Sequence, residues 1–285
     1  MAMSVNTNTG AMAALQALNS TSKGLATVQS RINSGMNVSS TKDDSAAFTI
    51  AEKLRGDLGG LKAVTSSLSR AKSVTDVAVA GAEQISDVVN QMKTLAKQAS
   101  DSGVDQASRE AYNKDFTALR DQITTIVNSS EFNGTNLLKA SGGTISALQS
   151  LGSVSSGGAY TADTLTVANQ NMGLAATGSA TVVGKDSKID SATAATNMVG
   201  ALDTLSKSIN TSLSNLGSAS RKIDAQTAFA SKLSDAIEGG IGNLVDADLA
   251  KESAKLQALQ VKQQLGVQAL SIANQAPQTV TSLFR

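Results

Sequence analysis

The sequence predicts a mainly α fold: an elongated antiparallel helical bundle with paired N- and C-terminal coiled-coil helices and a small β-hairpin insert. Apolar residues recur at three- and four-residue intervals over long stretches of both halves of the chain, as on the buried face of a helix. A single proline stands in 285 residues to interrupt such helices. Between the two halves, residues 141–196 are nearly half Gly, Ser and Thr, which favours turns and short strands.

The first predicted helix runs from Ala11 to Ile32. Five of seven positions at alternating four- and three-residue spacing are apolar, which is typical of a coiled coil. These positions are Ala11, Leu15, Leu18, Ser22, Leu25, Gln29 and Ile32. Arg31 suits the negative end of the helix dipole, and Gly35 can adopt the left-handed conformation that ends a helix.

The second predicted helix runs from Asp43 to Ala99. At its start, Thr41 and Asp44 have the spacing of a capping box, and Asp43 adds negative charge where the helix dipole is positive. The segment "SDSGVD" at residues 100–105 ends this helix, and a third helix is expected to fold back on it. The apolar face of that third helix holds Tyr112, Phe116, Leu119, Ile123 and Ile126.

Two short runs inside the insert predict β-strands. They are "DTLTVA" at residues 163–168 and "ATVVG" at residues 180–184, and both are rich in β-branched residues. Helical spacing resumes at Met198 and continues to Leu244, with an interruption after Ile223. A last helix is predicted in the segment that follows.

The last helix is apolar on two opposed faces. Leu256, Leu259 and Leu270 lie along one side of it, because a helix advances about 100° per residue. On the opposite side lie Val261, Leu265 and Ile272. Pairing with the N-terminal helix covers one of these stripes and leaves the other in water, so we expect neighbouring copies of the same chain to cover the second stripe.

Composition argues against catalysis and against cofactor or metal binding. The chain has no His and no Cys, which removes the usual general base, thiolate nucleophile and zinc ligands. Its 24 basic and 23 acidic residues are scattered, which disfavours nucleic-acid and anionic-membrane partners. No apolar run approaches the length of a bilayer span, and the N-terminal stretch lacks the early positive charge of a signal peptide. An enzyme hidden in the insert or a signalling bundle is a weaker alternative.

Three separated motifs resemble bacterial flagellin, the subunit of the flagellar filament. They are "NTNTGAMAALQALN" with "RINSGMNVSSTKDDSAAFTIAEKL", then "EFNGTNLL", then "DLAKESAKLQALQVKQQLGVQALSIANQAPQTVTSLFR", in the order that the family has them. The family-motif positions are Arg31, Asn33, Gly35, Asp43, Asp44, Phe132, Asn133, Gly134, Asn274, Gln275 and Pro277.

The resemblance implies an arrangement for each segment. Residues 1–42 and 244–285 would be paired inner-tube helices, residues 43–140 and 191–243 the outer-tube bundle, and residues 141–190 a solvent-facing insert. The expected self-assembly residues are Leu15, Leu18, Leu25, Ile32, Leu256, Leu259, Val261, Leu265, Leu270 and Ile272. The termini would be disordered in the free subunit and would fold on assembly.

The resemblance also implies partners and a location. The subunit would be secreted through the flagellar export apparatus with a chaperone, polymerise with itself or with other flagellins into a hollow helical filament for swimming, and meet hook-associated and cap proteins outside the cell. An alternative is a flagellar hook-filament junction protein. In the segment "VVNQMKTLAKQ", by which an animal Toll-like receptor detects many flagellins, Leu95 is retained, but Gln91 and Thr94 replace Arg and Glu. These two differences argue against recognition by that receptor.

Overall fold

The computed structural model describes the backbone of residues 7–154, 158 and 160–282, and the side chains of the same residues except 154 and 276–282. The elements in these ranges are α1 (Thr9–Ser34), α2 (Ser45–Ala99), α3 (Gln106–Ser129), β1 (Ile145–Leu148), β2 (Ser153–Val154), β3 (Tyr160–Thr161), β4 (Thr164–Val167), α4 (Ala192–Val245) and α5 (Leu249–Ser282). The predicted mainly α fold is confirmed. The chain divides into a terminal unit (Met1–Leu58 with Asp235–Arg285) and a body unit (Gly59–Ser234).

The body unit holds a continuous apolar core between its helices. Phe116 and Ile123 of α3 are fully buried, as the spacing of the third predicted helix implied, and they share this core with Leu68 of α2 and Leu202 of α4. Helices α2 and α4 run antiparallel, since Lys72 Nζ donates a hydrogen bond to Ser220 Oγ at 2.8 Å and Lys93 pairs with Asp203 farther along. Helices α2, α3 and α4 therefore enclose this core together.

A buried arginine closes the turn between α2 and α3. Arg109 is almost fully shielded from solvent, and its Nη2 donates hydrogen bonds to the carbonyl oxygens of Asp101 at 3.3 Å and Val104 at 2.9 Å. Asp105 begins α3 as its N-cap, accepting a hydrogen bond from the Ser108 amide. The predicted helix break at residues 100–105 is confirmed, and these bonds satisfy polar groups that the break leaves unpaired.

The insert forms two small antiparallel sheets of two strands each. β1 pairs with β4 in the register Ile145↔Val167, and β2 pairs with β3. The strand predicted at residues 163–168 is confirmed as β4, whereas the strand predicted at residues 180–184 is wrong. That second run forms isolated bridges, because the Gly184 amide donates a hydrogen bond to the Ser187 side chain instead of joining a continuous ladder.

The start of α2 differs from the predicted capping box. Asp44 alone caps the helix, because its Oδ1 accepts hydrogen bonds from the amides of Ala46 at 2.9 Å and Ala47 at 3.0 Å. Asp43 instead closes the preceding turn, where its Oδ2 accepts from the amides of Ser39 and Ser40. The hydrogen bonds from the Ser40 side chain first, and then from Ser39, lower the pKa of the exposed Asp43 carboxyl below 3.8.

The apolar spacing is interrupted after Ile223, and α4 continues through this interruption as one helix. Ile223 and Ala230 are both buried and lie seven residues, or about two helical turns, apart. The intervening polar residues have partners that allow helical geometry. Thr227 Oγ1 donates a hydrogen bond to the Ile223 carbonyl at 2.8 Å, and Gln226 Nε2 donates to the Gln149 carbonyl at 2.6 Å. Gln226, which interrupts the apolar spacing, therefore makes a polar contact with the insert.

Candidate assembly surface

The terminal unit is built around an antiparallel pair of helices, α1 and α5. The shielded residues of both helices recur at alternating three- and four-residue intervals, which is the coiled-coil spacing. On α1 they are Ala11, Ala14, Leu18, Thr21, Leu25, Val28 and Ile32. On α5 they are Glu252, Leu256, Leu259, Gln263, Gly266, Leu270 and Ala273. The paired terminal helices predicted from the sequence are therefore present.

Glycines let the two helices approach each other closely. A Cβ on Gly266 would lie 3.3 Å from Leu18 Cδ1, and a Cβ on Gly24 would lie 3.6 Å from Leu259 Cδ1. Each leucine thus packs over the glycine of the opposite helix, in space that a larger side chain at the glycine position would fill. The Asn8 side chain, which also caps α1, donates a hydrogen bond to the Ala273 carbonyl at 2.7 Å.

A cluster of charged side chains lies near the N-terminal end of α5, where this helix begins to pack against α1. Glu252 is 5% exposed, and its Oε1 lies 3.8 Å from Arg31 Nη1 and 2.5 Å from Lys255 Nζ. Arg31 Nε and Glu252 Oε2 are buried and have no hydrogen-bond partner. Such a layer is a weak source of stability, because removing two charges from water offsets most of their attraction.

The pair is anchored beside this layer by backbone contacts and a small core. The Ala247 amide donates a hydrogen bond to the Gly35 carbonyl at 2.9 Å, and the Asn37 amide donates to the Val245 carbonyl at 2.7 Å. Val38, Ala51 and Val245 are buried together next to these bonds. Gly35 has φ 69°, so its predicted left-handed cap is confirmed.

The second face of α5 is exposed, as the sequence predicted. Side chains of this face are 54% exposed at Val261, 57% at Leu265 and 69% at Ile272. We call these three residues the α5 outer stripe. They lie on the side of the helix away from Leu256, Leu259 and Leu270, which are half-buried in the pair.

The register of the buried face of α1 differs from the predicted one. Leu18, Leu25 and Ile32 are half-buried as expected, but Leu15 is 48% exposed and Ala14 takes its place in the pair. A small residue at this position permits close helix approach, whereas the sequence pattern favours the larger apolar side chain. Met12, 64% exposed, lies one turn before Leu15, and we call these two residues the α1 patch.

The other family-motif positions lie in the turn at residues 132–135 and on helices α1 and α5. Asn133 (φ 51°) and Gly134 (φ 79°) form a tight turn closed by hydrogen bonds between the backbones of Phe132 and Thr135. Asn33, Asn274 and Gln275 are exposed on the terminal unit. The side chain of Pro277 lies outside the described residues.

The three receptor-segment positions lie on α2 in the body unit. Gln91 and Thr94 are exposed, and the Thr94 hydroxyl donates a hydrogen bond to the Asn90 carbonyl at 3.1 Å. Leu95 is half-buried against the body core. The two positions that differ from a detected flagellin are thus the two that face solvent.

Gly24, Val28 and Glu252 are among the contributors to the helix pair that sequence reasoning missed. Shifting the α1 pattern to Ala11, Ala14 and Leu18 would have placed Val28 on the buried face. Glu252 has no local signal, because its burial depends on Arg31, which is distant in the sequence.

No group of three or more acidic side chains in the described ranges is close enough together to hold a metal ion. Within the part of the chain that the structure covers, no helix is both long and apolar enough to cross a bilayer.

Comparison with known proteins decides the family. Residues 5–142 match the family model of the bacterial flagellin N-terminal helical region, and residues 199–284 match that of the C-terminal helical region. The chain belongs to the bacterial flagellin family. It is 45% identical over 282 residues to flagellin FljM of Caulobacter vibrioides, which covers 99% of this chain and 98% of that protein.

Two further relatives are also flagellins. Flagellin FljK of Caulobacter vibrioides is 43% identical over 282 residues, with 99% of this chain and 98% of the relative covered. A flagellin of Brucella melitensis is 34% identical over 288 residues, with 99% of each chain covered. The chain is a structural subunit of the bacterial flagellar filament, and nothing in these comparisons favours the hook-filament junction alternative.

Proposed function

We propose that the α5 outer stripe and the α1 patch are the surfaces through which neighbouring subunits pack in the filament. The observation that carries this proposal is that α5 is apolar on two faces and α1 covers one of them. Exposed apolar side chains in such an array are typical of an interaction surface. A second copy of the same chain is the occupant, because the family is one of filament subunits.

The amount of uncovered apolar surface supports self-assembly. Burying one aliphatic side chain contributes about 1.5–3 kcal/mol, so the five residues of the α5 outer stripe and the α1 patch contribute several times that before association entropy is deducted. Assembly would then also order the helices that carry these side chains.

We further propose the route and surroundings that the family suggests. The subunit leaves the cell through the flagellar export apparatus with a chaperone, and it joins a hollow extracellular filament between hook-associated and cap proteins. In the filament it acts as a structural element for swimming and not as an enzyme. Detection of the chain in filaments sheared from intact cells, and not in the cell body alone, tests this location.

A charge placed in the outer stripe tests the assembly surface. We expect Leu265→Asp to raise the critical concentration for polymerisation at least about tenfold, because it removes an apolar contact and buries a carboxylate. The stability of the body unit should not change, since Leu265 lies outside it. Sedimentation of seeded filaments measures the first quantity, and urea unfolding followed by circular dichroism measures the second.

Gln260→Asp is the matched control, because Gln260 is exposed on α5 but lies between the two apolar faces. It introduces the same charge on the same helix and should polymerise nearly as well as the unchanged chain. Filament formation by Leu265→Asp at an unchanged critical concentration would remove the outer stripe from the assembly surface.

Deleting residues 254–285 should leave a soluble subunit that does not polymerise.

A further inference from the structure

The methionines of this chain differ sharply in exposure. The structure describes five methionine side chains, and Met92, Met172 and Met198 among them are buried in the body core. Met36 is half-buried, and its sulfur accepts a hydrogen bond from Arg55 Nη2 at 3.9 Å. Met12 alone in this described set is mostly exposed, at 64%.

Met12 is also the member of the α1 patch whose chemistry can change. It lies one residue after Ala11, which is half-buried in the pair with α5, so its side chain projects about 100° around the helix from that contact. Leu15 next to it cannot be oxidised under mild conditions, whereas a thioether can. The same patch that assembly would bury therefore carries an accessible sulfur in the free subunit.

We propose that Met12 is an oxidation site of the unassembled subunit that reacts faster than the buried methionines of the body core, with a peroxide as the oxidant. The thioether sulfur attacks one peroxide oxygen, the O–O bond breaks and an S–O bond forms. Sulfur loses two electrons. When the oxidant is hydrogen peroxide, the oxygen that is not transferred takes up the proton of the transferred oxygen and leaves as water. The product is methionine sulfoxide, which is polar and is reversed by methionine sulfoxide reductases.

The functional consequence rests on the proposed packing of the α1 patch. A sulfoxide oxygen needs a hydrogen-bond partner, and an apolar contact with a neighbouring subunit supplies none. Oxidised subunits should therefore join a filament with a critical concentration raised by about tenfold. Subunits already in the filament should be protected, because their Met12 is covered.

Peptide mass mapping tests the site itself and needs no polymerisation. Free subunits are treated with limiting hydrogen peroxide, and sulfoxide is quantified at each methionine. We expect Met12 to be oxidised at least several-fold faster than Met92 and Met198, which serve as internal buried controls. Equal rates at these three positions, or an unreactive Met12, would overturn the proposal. Preformed filaments given the same dose should show a several-fold lower rate at Met12, and an unchanged rate would also overturn it.

Seeded polymerisation after peroxide treatment tests the consequence. Met12→Leu is compared with Met3→Leu, a matched control at a methionine outside the described residues, and each variant is compared with its own untreated sample. Treatment should impair the unchanged chain and Met3→Leu, and reductase should restore both, while Met12→Leu should be insensitive. Equal impairment of Met12→Leu would overturn the role of this sulfur. If Leu265→Asp polymerises normally but the Met12 arms behave as expected, the outer-stripe proposal fails and the oxidation site stands.

Discussion

The terminal unit and the body unit use the same kinds of residues, but they bury them to different degrees. The body core is continuous over three helices and includes large side chains with no exposed surface, such as Phe116 and Leu202. In the terminal pair, by contrast, Val28 is the one buried residue of α1, Glu252 is its counterpart among the described side chains of α5, and each is still 5% exposed. A two-helix pair cannot enclose its apolar residues, whereas three packed helices can.

This difference separates folding from assembly in one chain. The body unit encloses large apolar side chains in its own core, so these side chains serve packing. The terminal pair leaves Val261, Leu265 and Ile272 in solvent, so its stability depends on what covers them. Substitutions in the two units should accordingly be detected by different measurements.

The largest effect is expected in the body core. Phe116→Ala should lower the free energy of unfolding by about 3–5 kcal/mol, because it leaves a large cavity among fully buried neighbours. Phe229→Ala is the matched control, since Phe229 belongs to the same unit but is mostly exposed, and it should change the free energy by less than about 0.5 kcal/mol. Urea unfolding by circular dichroism measures both. Equal losses would mean that the body lacks the enclosed core that distinguishes it.

A smaller effect is expected from the charged layer of the terminal pair. Glu252→Ala leaves Arg31 without its carboxylate and should cost about 1–3 kcal/mol, seen as a higher critical concentration and a lower filament dissociation temperature. The combined change Arg31→Met with Glu252→Leu should be nearly neutral, because two partly unsatisfied charges are replaced by apolar contacts. A double variant as weak as Glu252→Ala would show that the ion pair itself is strongly stabilising.

Substitutions of the two glycines in the helix pair test how closely α1 and α5 pack. Gly24→Ala should stabilise it by about 0.5–1 kcal/mol, because alanine favours helix and the new Cβ meets Leu259 at an ordinary contact distance of 3.6 Å. Gly266→Ala should gain less, since its Cβ would lie only 3.3 Å from Leu18 Cδ1. Filament dissociation temperatures rank the two variants, and a larger gain at Gly266 would contradict the described packing.

The smallest effect is a dependence of body stability on alkaline pH. The hydrogen bond to Asp224 is the main cause that raises the pKa of Lys72 above 10.5. Because the folded pKa is the higher one, this stabilisation is complete below pH 10.5 and is lost as pH rises through the folded value. Lys72→Met should therefore flatten the alkaline decline in the urea midpoint. An identical decline in both proteins would assign it to other groups.

Local sequence signals predicted the helices because their causes are local. Apolar spacing along α3 and the break at residues 100–105 depend on neighbours a few residues away, and both are confirmed. The strand expected at residues 180–184 is wrong, because β-branched composition alone cannot supply a pairing partner. The interruption of the apolar spacing after Ile223 has a tertiary cause, since Gln226 donates a hydrogen bond there to the distant Gln149 carbonyl.

The sequence by itself determined that the chain is helical, that α5 is apolar on two faces and that its motifs resemble those of flagellin. These properties follow from residue type and spacing, which act within one or two turns of a helix. Only the tertiary structure decided that Ala14 and not Leu15 faces α5, that Glu252 is buried and that Met12 is exposed. Each of those outcomes depends on how closely a second helix approaches, and the chain brings that helix from more than two hundred residues away.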